Sequence, residues 1–338
     1  MSETVAAAAA ATDYDSWVKT EDGGTIPQSS AAKRISAILE TADIQPGMNV
    51  LEIGTGSGYS GALLSHLVRD HGRVVSIDVD SSLTDRAALL HSQAGHHNIE
   101  VHPADGFAGW EAAAPFDRIL AWTTPHVLPQ PWVQQATQGG VIVTPVKIAD
   151  IACANATIRC TVRGDIEDGS VYPGSFIEMA PEVVTDLAVP IRFVDATRIA
   201  DNQPSWWISA QALHGQPDTV ARALLDQAHE AAPRPGFFVD GRVAWEAFTT
   251  YVLARSPHPA SVGGAHGWGI GVAVADSVAV VLPDGGLLVA GSRQAHDELH
   301  ALLTEWIELG KPHHERLQPV FTPDPEGWSV RVKLRDLD

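Results

Sequence analysis

The chain has 338 residues, which is more than a single hydrophobic core usually spans, so two domains are expected. Its 45% hydrophobic residues and mean hydropathy of -0.01 are typical of a globular protein, and no apolar run is long enough to cross a membrane. The net charge of -19 leaves few cations for phosphate contacts, which argues against DNA or RNA as a partner. Because the field of the whole protein opposes an acidic ligand, such a ligand needs local groups to attract it.

Residues 1–12 are expected to form a disordered tail, which contains a tract of six alanines. Acids flank this tract and no basic segment precedes it, so the pattern differs from that of a secretory signal. The two cysteines, Cys153 and Cys160, fit neither a metal-ligand pattern nor a disulfide framework. These features together predict a cytoplasmic protein.

Helix-like and strand-like segments alternate from residue 26 to residue 150. The apolar patterns predict strands at 49–53, 73–78, 99–102, 116–121 and 140–145, and helices at 29–41, 61–68, 82–94 and 132–137. This alternation is typical of a parallel sheet with helices on both faces.

The pattern changes after residue 150, where strands are predicted at 154–162 and 166–172 and a connector at 181–205. The segments that follow predict a second unit, with strands at 206–210, between 268 and 289, and at 317–321 and 328–334, and with helices at 219–231, 243–253 and 294–309. A hairpin turn is expected at 283–286. We therefore predict an α/β protein with one domain at 13–180 and a C-terminal α/β (α+β) domain at 206–338.

The segment VLEIGTGSGYSGALL places three alternating glycines, Gly54, Gly56 and Gly58, between a predicted strand and a predicted helix. Glycine allows a sharp turn and close approach of a ligand to the main chain, and the helix N-terminus that follows offers free N–H groups. Asp78 ends the next strand, where dinucleotide-binding folds carry a carboxylate that accepts the ribose hydroxyls. The order of these parts predicts a nucleoside site, and a tight turn without a ligand is the alternative.

The identity of the nucleoside depends on charge. Gly56 to Gly61 also fits the G-x-G-x-x-G pattern of nicotinamide cofactors. The acid Glu52, two residues before the first glycine, would repel a pyrophosphate but would favour a ligand with an ammonium group and a sulfonium centre. The sequence therefore favours S-adenosylmethionine. The predicted cofactor-binding residues are Glu52, Gly54, Thr55, Gly56, Ser57, Gly58, Tyr59, Asp78, Val79, Asp105 and Gly106.

The same segments resemble the protein-L-isoaspartate O-methyltransferases. The resemblance rests on VLEIGTGSGYSGALL, VVSIDVD, ADGFAGW, PFDRILAWTTPHVLP and GGVIVTPV, in that order, and covers roughly residues 20–175. It implies a Rossmann-like class I methyltransferase domain, S-adenosyl-L-methionine as cofactor, S-adenosyl-L-homocysteine as product, and a peptide carboxylate as methyl acceptor.

Three departures from that family pattern point to a special substrate. Pro27 stands where the repair enzymes carry a functional serine, the N-terminal helices that usually precede this segment are expected to be mostly missing, and residues 200–338 have no counterpart in the compact repair enzyme. Extended relatives look like the methyltransferases of ribosomally made peptide natural products, which esterify an aspartate that then forms an aspartimide or isoaspartate. We therefore expect a modified precursor peptide as substrate. The alternatives are a general isoaspartate repair enzyme, a nicotinamide-dependent oxidoreductase and a peptide-binding protein with a relic cofactor fold.

The acceptor side requires no general base, because an aspartate with a pKa of about 3.9 is already ionised at neutral pH. Hydroxyl groups suit the task of holding the carboxylate, and the candidates are Thr25, Ser29, Ser30 and Thr123, with Thr124 nearby. No metal is expected, since the pairs His96-His97 and His313-His314 lack further ligands at metal spacing. The sequence predicts neither a membrane nor a nucleic-acid partner and leaves the oligomeric state open.

Overall fold

The computed structural model describes residues 2–20, 22–184, 188–199 and 204–335. Three helices precede the first sheet: α1 (Glu3–Ala11), α2 (Tyr14–Val18) and α3 (Ala32–Ala42). The prediction of a disordered tail over residues 1–12 is therefore wrong, as is the expectation that N-terminal helices are missing. Ser2 caps α1 by accepting a hydrogen bond from the Val5 amide, and Val5 and Ala8 are buried against the core that contains α3 and the helix at Tyr59–Val68. Alanine has the highest helix propensity, and this packing supplies the remaining stability.

The first sheet has seven strands in the order β3-β2-β1-β4-β6-β7-β8. Its elements, together with the short β5 outside this sheet, are β1 (Asn49–Ile53), α4 (Tyr59–Val68), β2 (Arg73–Asp78), α5 (Ser81–Ala94), β3 (Ile99–Pro103), β4 (Phe116–Ala121), β5 (Leu128–Pro129), α6 (Gln130–Gln135), β6 (Ala136–Lys147), β7 (Asn155–Val162) and β8 (Ile166–Tyr172). Strands β3, β2, β1, β4 and β6 are mutually parallel, as predicted, and β7 and β8 continue the sheet in antiparallel fashion. The strand order reverses between β1 and β4, and ligands of open α/β sheets bind at such a switch point.

The second sheet is entirely antiparallel, with six strands in the order β14-β13-β12-β11-β10-β9. Its elements are β9 (Ala196–Arg198), β10 (Trp206–Ala210), α7 (Asp218–Glu230), α8 (Gly241–Arg255), β11 (Pro259–Gly264), β12 (Gly267–Val274), β13 (Ser277–Val281), β14 (Leu287–Ala290) and α9 (Gln294–Glu308). Helix α7 packs on one face of this sheet, and α8 and α9 pack on the other. The turn at 283–286 joins β13 to β14, as the sequence predicts.

The last hairpin, β15 (Leu317–Asp324) and β16 (Gly327–Leu334), returns to the first domain. Strand β16 pairs with β5, and Leu317, Trp328 and Val330 join the hydrophobic core beneath the first sheet. The two domains also meet at a buried junction, where the Ser209 hydroxyl accepts from the Ala152 amide at 2.9 Å and the Ser261 hydroxyl donates to the Ala152 carbonyl at 2.7 Å. Hydrogen bonds between buried groups therefore join the two domains.

Both cysteines are free thiols. Cys160 lies in the core within β7, and Cys153 precedes that strand. Burial raises the pKa of each thiol to about 12, so neither is a thiolate at neutral pH. Within the part of the chain that the structure describes, no helix is long and apolar enough to cross a membrane.

His91, in α5, makes stability sensitive to acid. Burial first, and His96 second, lower the pKa of His91 from 6.5 to about 3. Between pH 6.5 and 3 the unfolded chain therefore binds a proton at His91 and the folded chain does not. The contribution of neutral His91 to the free energy of unfolding is fully present above pH 6.5 and is lost as the pH falls from 6.5 towards 3. Lowering the pH from 7.5 to 5 is expected to cost about 2 kcal/mol through this residue.

This dependence is tested by urea denaturation at several pH values. His91→Leu should flatten the decline between pH 6.5 and 5, whereas the exposed His97→Leu should leave the decline unchanged. An unaltered slope in the His91 variant would show that folding does not change proton binding by His91 and would contradict this prediction.

Candidate active site

The glycine turn lies where the first sheet reverses its strand order. Strand β1 ends at Ile53, and Gly54 and Gly56 follow with φ angles of 92° and 50° before α4 begins at Tyr59. Both angles lie in the left-handed region that glycine adopts at little cost. An added Cβ on Gly56 would lie 2.7 Å from the Gln28 carbonyl oxygen, and one on Gly54 would lie 3.3 Å from the Thr123 side chain. The turn therefore brings β1, the 27–31 segment and the end of β4 within contact distance.

A cavity of about 610 Å³ opens at this edge of the sheet. Its lining includes Gly54 and Gly56 after β1, Asp78 and Val79 after β2, and Thr123 after β4. The volume lies in the range of cofactor and small-molecule sites. The carboxyl ends of the three central strands thus converge on one cavity, as expected for a ligand at the switch point.

Asp78 is one of the acids that line this cavity. Its carboxylate accepts hydrogen bonds from the Gly56 amide at 3.0 Å and from the Asp80 amide at 3.1 Å. Burial raises the pKa of Asp78, and these two amides oppose that shift. The side chain is thus a fixed acceptor that ties the glycine turn to the end of β2.

Glu52 does not line the cavity. The side chain is fully buried, and its carboxylate accepts from the Trp122 indole N–H at 2.9 Å and from the Ser76 hydroxyl at 2.6 Å. Burial raises the pKa of Glu52, although its hydrogen bonds oppose this shift. The prediction that Glu52 contacts the ligand directly is therefore wrong. Glu52 instead supports the turn from below, because Ser76 also bonds to the Thr55 hydroxyl at 2.7 Å.

The other predicted cofactor-binding residues differ in whether they line the cavity, are buried beneath it or are exposed. Gly106 lines the cavity, and its carbonyl is held by the Trp132 indole N–H at 2.8 Å. Thr55, Ser57, Gly58 and Tyr59 lie within the turn and the start of α4 and are buried rather than cavity-lining. Asp105 is exposed, accepts from the Phe107 amide at 3.0 Å and borders a separate groove, so the expectation that it reaches the adenine edge in this cavity is not met.

The predicted acceptor hydroxyls divide as well. Ser29, Ser30 and Thr123 line the cavity, and Pro27 lies beside them. Thr25 does not line it: it is exposed, and its hydroxyl accepts from the Lys19 ammonium group at 3.2 Å. The structure therefore brings three of the four predicted hydroxyl groups to the cavity and excludes Thr25.

The Ser29 hydroxyl is buried and has no hydrogen-bond partner within the described residues. The Tyr14 hydroxyl donates to the Ser30 carbonyl at 3.0 Å and thereby fixes this segment. The 27–31 segment is thus held in place while one of its hydroxyls stays available.

Sequence reasoning missed a strap that crosses the cavity at residues 175–184 and 188–193. Its first part runs alongside Thr124, which donates its amide to the Ile177 carbonyl at 2.7 Å and accepts from the Met179 amide at 2.8 Å. The Glu178 carboxylate forms a 2.6 Å ion pair with the buried Lys147. A lysine at the end of the apolar run GVIVTPVK was the available signal, since a buried cation requires an acidic partner.

Comparison with known proteins identifies the family. The model of the family described as protein-L-isoaspartate(D-aspartate) O-methyltransferase matches residues 9–162. The chain is 31% identical over 145 residues to protein-L-isoaspartate O-methyltransferase 2 of a Polaromonas species, which covers 43% of this chain and 67% of the relative. It is also 31% identical over 148 residues to the protein-L-isoaspartate O-methyltransferase of Gloeobacter violaceus, covering 44% of this chain and 70% of the relative.

This chain belongs to the protein-L-isoaspartate O-methyltransferase family. It is an S-adenosylmethionine-dependent carboxyl O-methyltransferase with a Rossmann-like class I methyltransferase fold. The comparisons support neither a nicotinamide oxidoreductase nor a peptide-binding protein with a relic cofactor fold.

The second domain has a counterpart in a solved member of the family. A structure described as a protein-L-isoaspartate O-methyltransferase aligns with 98% of this chain and 94% of its own, with a TM-score of 0.50 and 17% sequence identity. The fold of residues 200–338 therefore also occurs in a protein of that description.

The residues present fit the cofactor of this family. Added Cβ atoms on Gly56 and Gly106 would lie 2.7 Å from the Gln28 carbonyl oxygen and from the Ile53 side chain, so the packing of the cavity wall at both positions requires glycine. Asp78 offers a carboxylate to ribose hydroxyls, and the cavity-lining Val79 and Leu83 offer apolar contact to a nucleoside. These residues would hold S-adenosylmethionine at the ends of β1 and β2.

Gly56→Ala should abolish tight cofactor binding. The new Cβ would be strained by the φ angle of 50° and would also clash with the Gln28 carbonyl, so the 27–31 segment has to move. Gly95→Ala is the matched control, because Gly95 has a φ angle of 75° and no atom within 4 Å of an added Cβ. Calorimetry with S-adenosylhomocysteine should show a loss of at least about tenfold in the Gly56 variant alone, while each variant loses about 1–2 kcal/mol of stability through strain. Equal affinities for the two variants would contradict this account of the turn.

Proposed function

We propose that this enzyme methylates the α-carboxylate of isoaspartyl residues in peptides and proteins. One observation carries the proposal: the hydroxyl-bearing residues Ser29, Ser30 and Thr123 line the same cavity as the glycine turn and Asp78. The descriptions of the family and of the relatives in Polaromonas and Gloeobacter violaceus support the choice of isoaspartate.

Methyl transfer to a carboxylate requires the protein mainly to position the two reactants. When bound, S-adenosylmethionine supplies a methyl group on a positively charged sulfur. The acceptor carboxylate is ionised at neutral pH, so no residue has to remove a proton. Hydroxyl donors orient its oxygen without neutralising it, and the exclusion of water and correct orientation can supply about 7–11 kcal/mol.

Ser29 is the strongest candidate for the group that orients the acceptor. A buried hydroxyl left without a partner costs about 1–3 kcal/mol, and a substrate oxygen at this wall would recover that cost. The neighbouring Pro27 has neither a side-chain nor a backbone donor, so it cannot share the task.

The proposal is tested with two hexapeptides that differ only in an isoaspartyl or an aspartyl residue. We expect labelled methyl to be transferred to the isoaspartyl peptide at least about tenfold faster than to the aspartyl peptide. The reason is that the site is proposed to select the free α-carboxylate of the isoaspartyl residue over the side-chain carboxylate of aspartate. Equal or inverse rates would overturn the proposed substrate. Ser29→Ala should lower kcat for the isoaspartyl peptide and leave affinity for S-adenosylhomocysteine unchanged.

A second candidate substrate is an aspartate of a ribosomally made, modified precursor peptide, with an aspartimide or isoaspartate as the eventual product. The observation that favours it is Pro27, which lines the cavity and stands where the family resemblance implies a serine. A proline in place of a serine changes the groups that would contact the methyl acceptor, which is consistent with a different acceptor. Mass spectrometry would detect the gain of a methyl group and the later loss of methanol on such a peptide, and inertness of the peptide would exclude this candidate.

The proposed division of labour assigns residues 13–180 to cofactor binding and 206–338 to recognition of the peptide, with 181–205 as connector. Support comes from the cavity itself, which Trp207 and Trp268 of the second domain help to line. The hairpin of β15 and β16 is the exception, because it packs on the first domain. A cytoplasmic location stays a prediction.

A further inference from the structure

Residues of both domains line the cavity. Besides the residues after β1 and β2, it is lined by Trp207 of β10, by Arg242 and Glu246 of α8, and by Trp268 of β12. Any substrate that fills the cavity therefore contacts both domains at once.

The aromatic part of this second-domain wall is rigid. Trp207 is buried, and an added Cβ on Gly263 would lie 2.3 Å from its indole ring, so the ring rests directly on the glycine backbone. Trp268 packs edge-to-face against Trp245, with ring centroids 5.5 Å apart. Rings that are already fixed bind an extended peptide without paying for side-chain ordering.

A local excess of positive charge lies beside these rings. The Glu246 carboxylate is 3.1 Å from the Arg34 guanidinium and 3.5 Å from the Arg242 guanidinium, so two cations share one anion. Arg34 makes a further hydrogen bond to the Pro173 carbonyl at 3.3 Å. In a chain of net charge -19, this is a place where an acidic ligand meets attraction rather than repulsion.

Arg242 is the cation with unused donors. Its guanidinium lies over the Trp245 ring at 4.8 Å from the centroid and contacts Glu246 through Nε. Neither terminal nitrogen of this guanidinium has a hydrogen-bond partner within the described part of the chain. A guanidinium that is held at one edge and stacked on a ring presents its other edge for bidentate binding of a carboxylate.

We propose that Arg242 binds the side-chain carboxylate of an aspartate or glutamate that flanks the methyl-accepting residue, while Trp207 and Trp268 contact the peptide between them. This inference rests on the proposed peptide substrate and adds a sequence preference to it. Asp78 and Asp80, which follow β2, also line the cavity and disfavour an anion beside them, so the flanking carboxylate is expected at Arg242 instead.

The test uses isoaspartyl peptides in matched pairs, with glutamate or glutamine at one of the four positions on either side of the acceptor. Calorimetry in the presence of S-adenosylhomocysteine measures peptide binding, and methyl transfer gives KM. At one position the glutamate peptide should bind about five- to tenfold more tightly, and salt should weaken that preference. Arg242→Gln should remove the preference, Arg242→Lys should keep part of it, and neither should change affinity for S-adenosylhomocysteine.

Arg293→Gln is the matched control, because Arg293 is an exposed arginine of the same domain, 3.7 Å from Asp297 and outside the cavity lining. It should retain the full preference. Equal binding of glutamate and glutamine peptides at every position, or a preference that survives in Arg242→Gln, would overturn the inference. A binding preference that depends on Arg242 without methylation of any isoaspartyl peptide would support this subsite and contradict the proposed acceptor instead.

Discussion

Lys147→Met is expected to lower the free energy of unfolding by about 3–5 kcal/mol, because it leaves a buried carboxylate without its partner. The Lys147 and Glu178 side chains are 2% and 11% exposed, and their charged atoms lie 2.6 Å apart. The second Glu178 oxygen accepts from the amides of Ile191 and Arg192, so the same carboxylate anchors both ends of the strap over the cavity. The loss of stability should therefore be accompanied by weaker cofactor binding.

The pair of Lys311 and Asp240 provides the control for this substitution. Its charged atoms are also 2.6 Å apart, but the side chains are 41% and 31% exposed. Lys311→Met should cost no more than about 1 kcal/mol, since exposed pairs contribute little. In Lys147→Met, the further change Glu178→Gln should recover part of the loss by removing the unpaired charge. If urea denaturation shows similar losses for the two lysine variants, burial does not explain how much the Lys147–Glu178 pair contributes to the free energy of unfolding.

Asp78→Ala is expected to weaken S-adenosylhomocysteine binding by about 1–3 kcal/mol, or roughly 5- to 150-fold. The carboxylate is proposed to accept ribose hydroxyls, and it also receives the Gly56 amide that shapes the turn. Asp78→Asn should be intermediate, because it keeps an acceptor oxygen but loses the charge.

The comparison with Asp105 makes this prediction specific. Asp105→Asn should change affinity by less than about twofold, since Asp105 is exposed and borders a different groove. If calorimetry shows the larger loss for Asp105, the placement of the nucleoside at the ends of β1 and β2 is wrong.

The parallel core of the first domain was predictable because its strands are buried on both faces. Segments such as RVVSID and FDRILA read as short apolar runs, and the glycine turn marks the first crossover. The helix α1 was not predictable in this way, because an alanine tract has no apolar stripe and only Val5 and Ala8 reveal, once folded, which face is buried.

The candidate site was only partly predictable, for a similar reason. Gly56 and Asp78 belong to local motifs whose geometry follows from strand–turn–helix connectivity. The burial of Glu52 depends on Trp122, seventy residues away along the chain, and the strap depends on the pairing of Lys147 with Glu178. Contacts of this kind are set by tertiary packing, which spacing along one sequence does not encode.

A crystal structure with S-adenosylhomocysteine and an isoaspartyl peptide tests the central claim most directly. The account predicts the ribose against Asp78 and the α-carboxylate beside Ser29, with the peptide continuing towards Trp207. A nucleoside at the ends of β1 and β2 with the isoaspartyl carboxylate bound elsewhere, or an S-adenosylhomocysteine molecule outside this cavity, would contradict it.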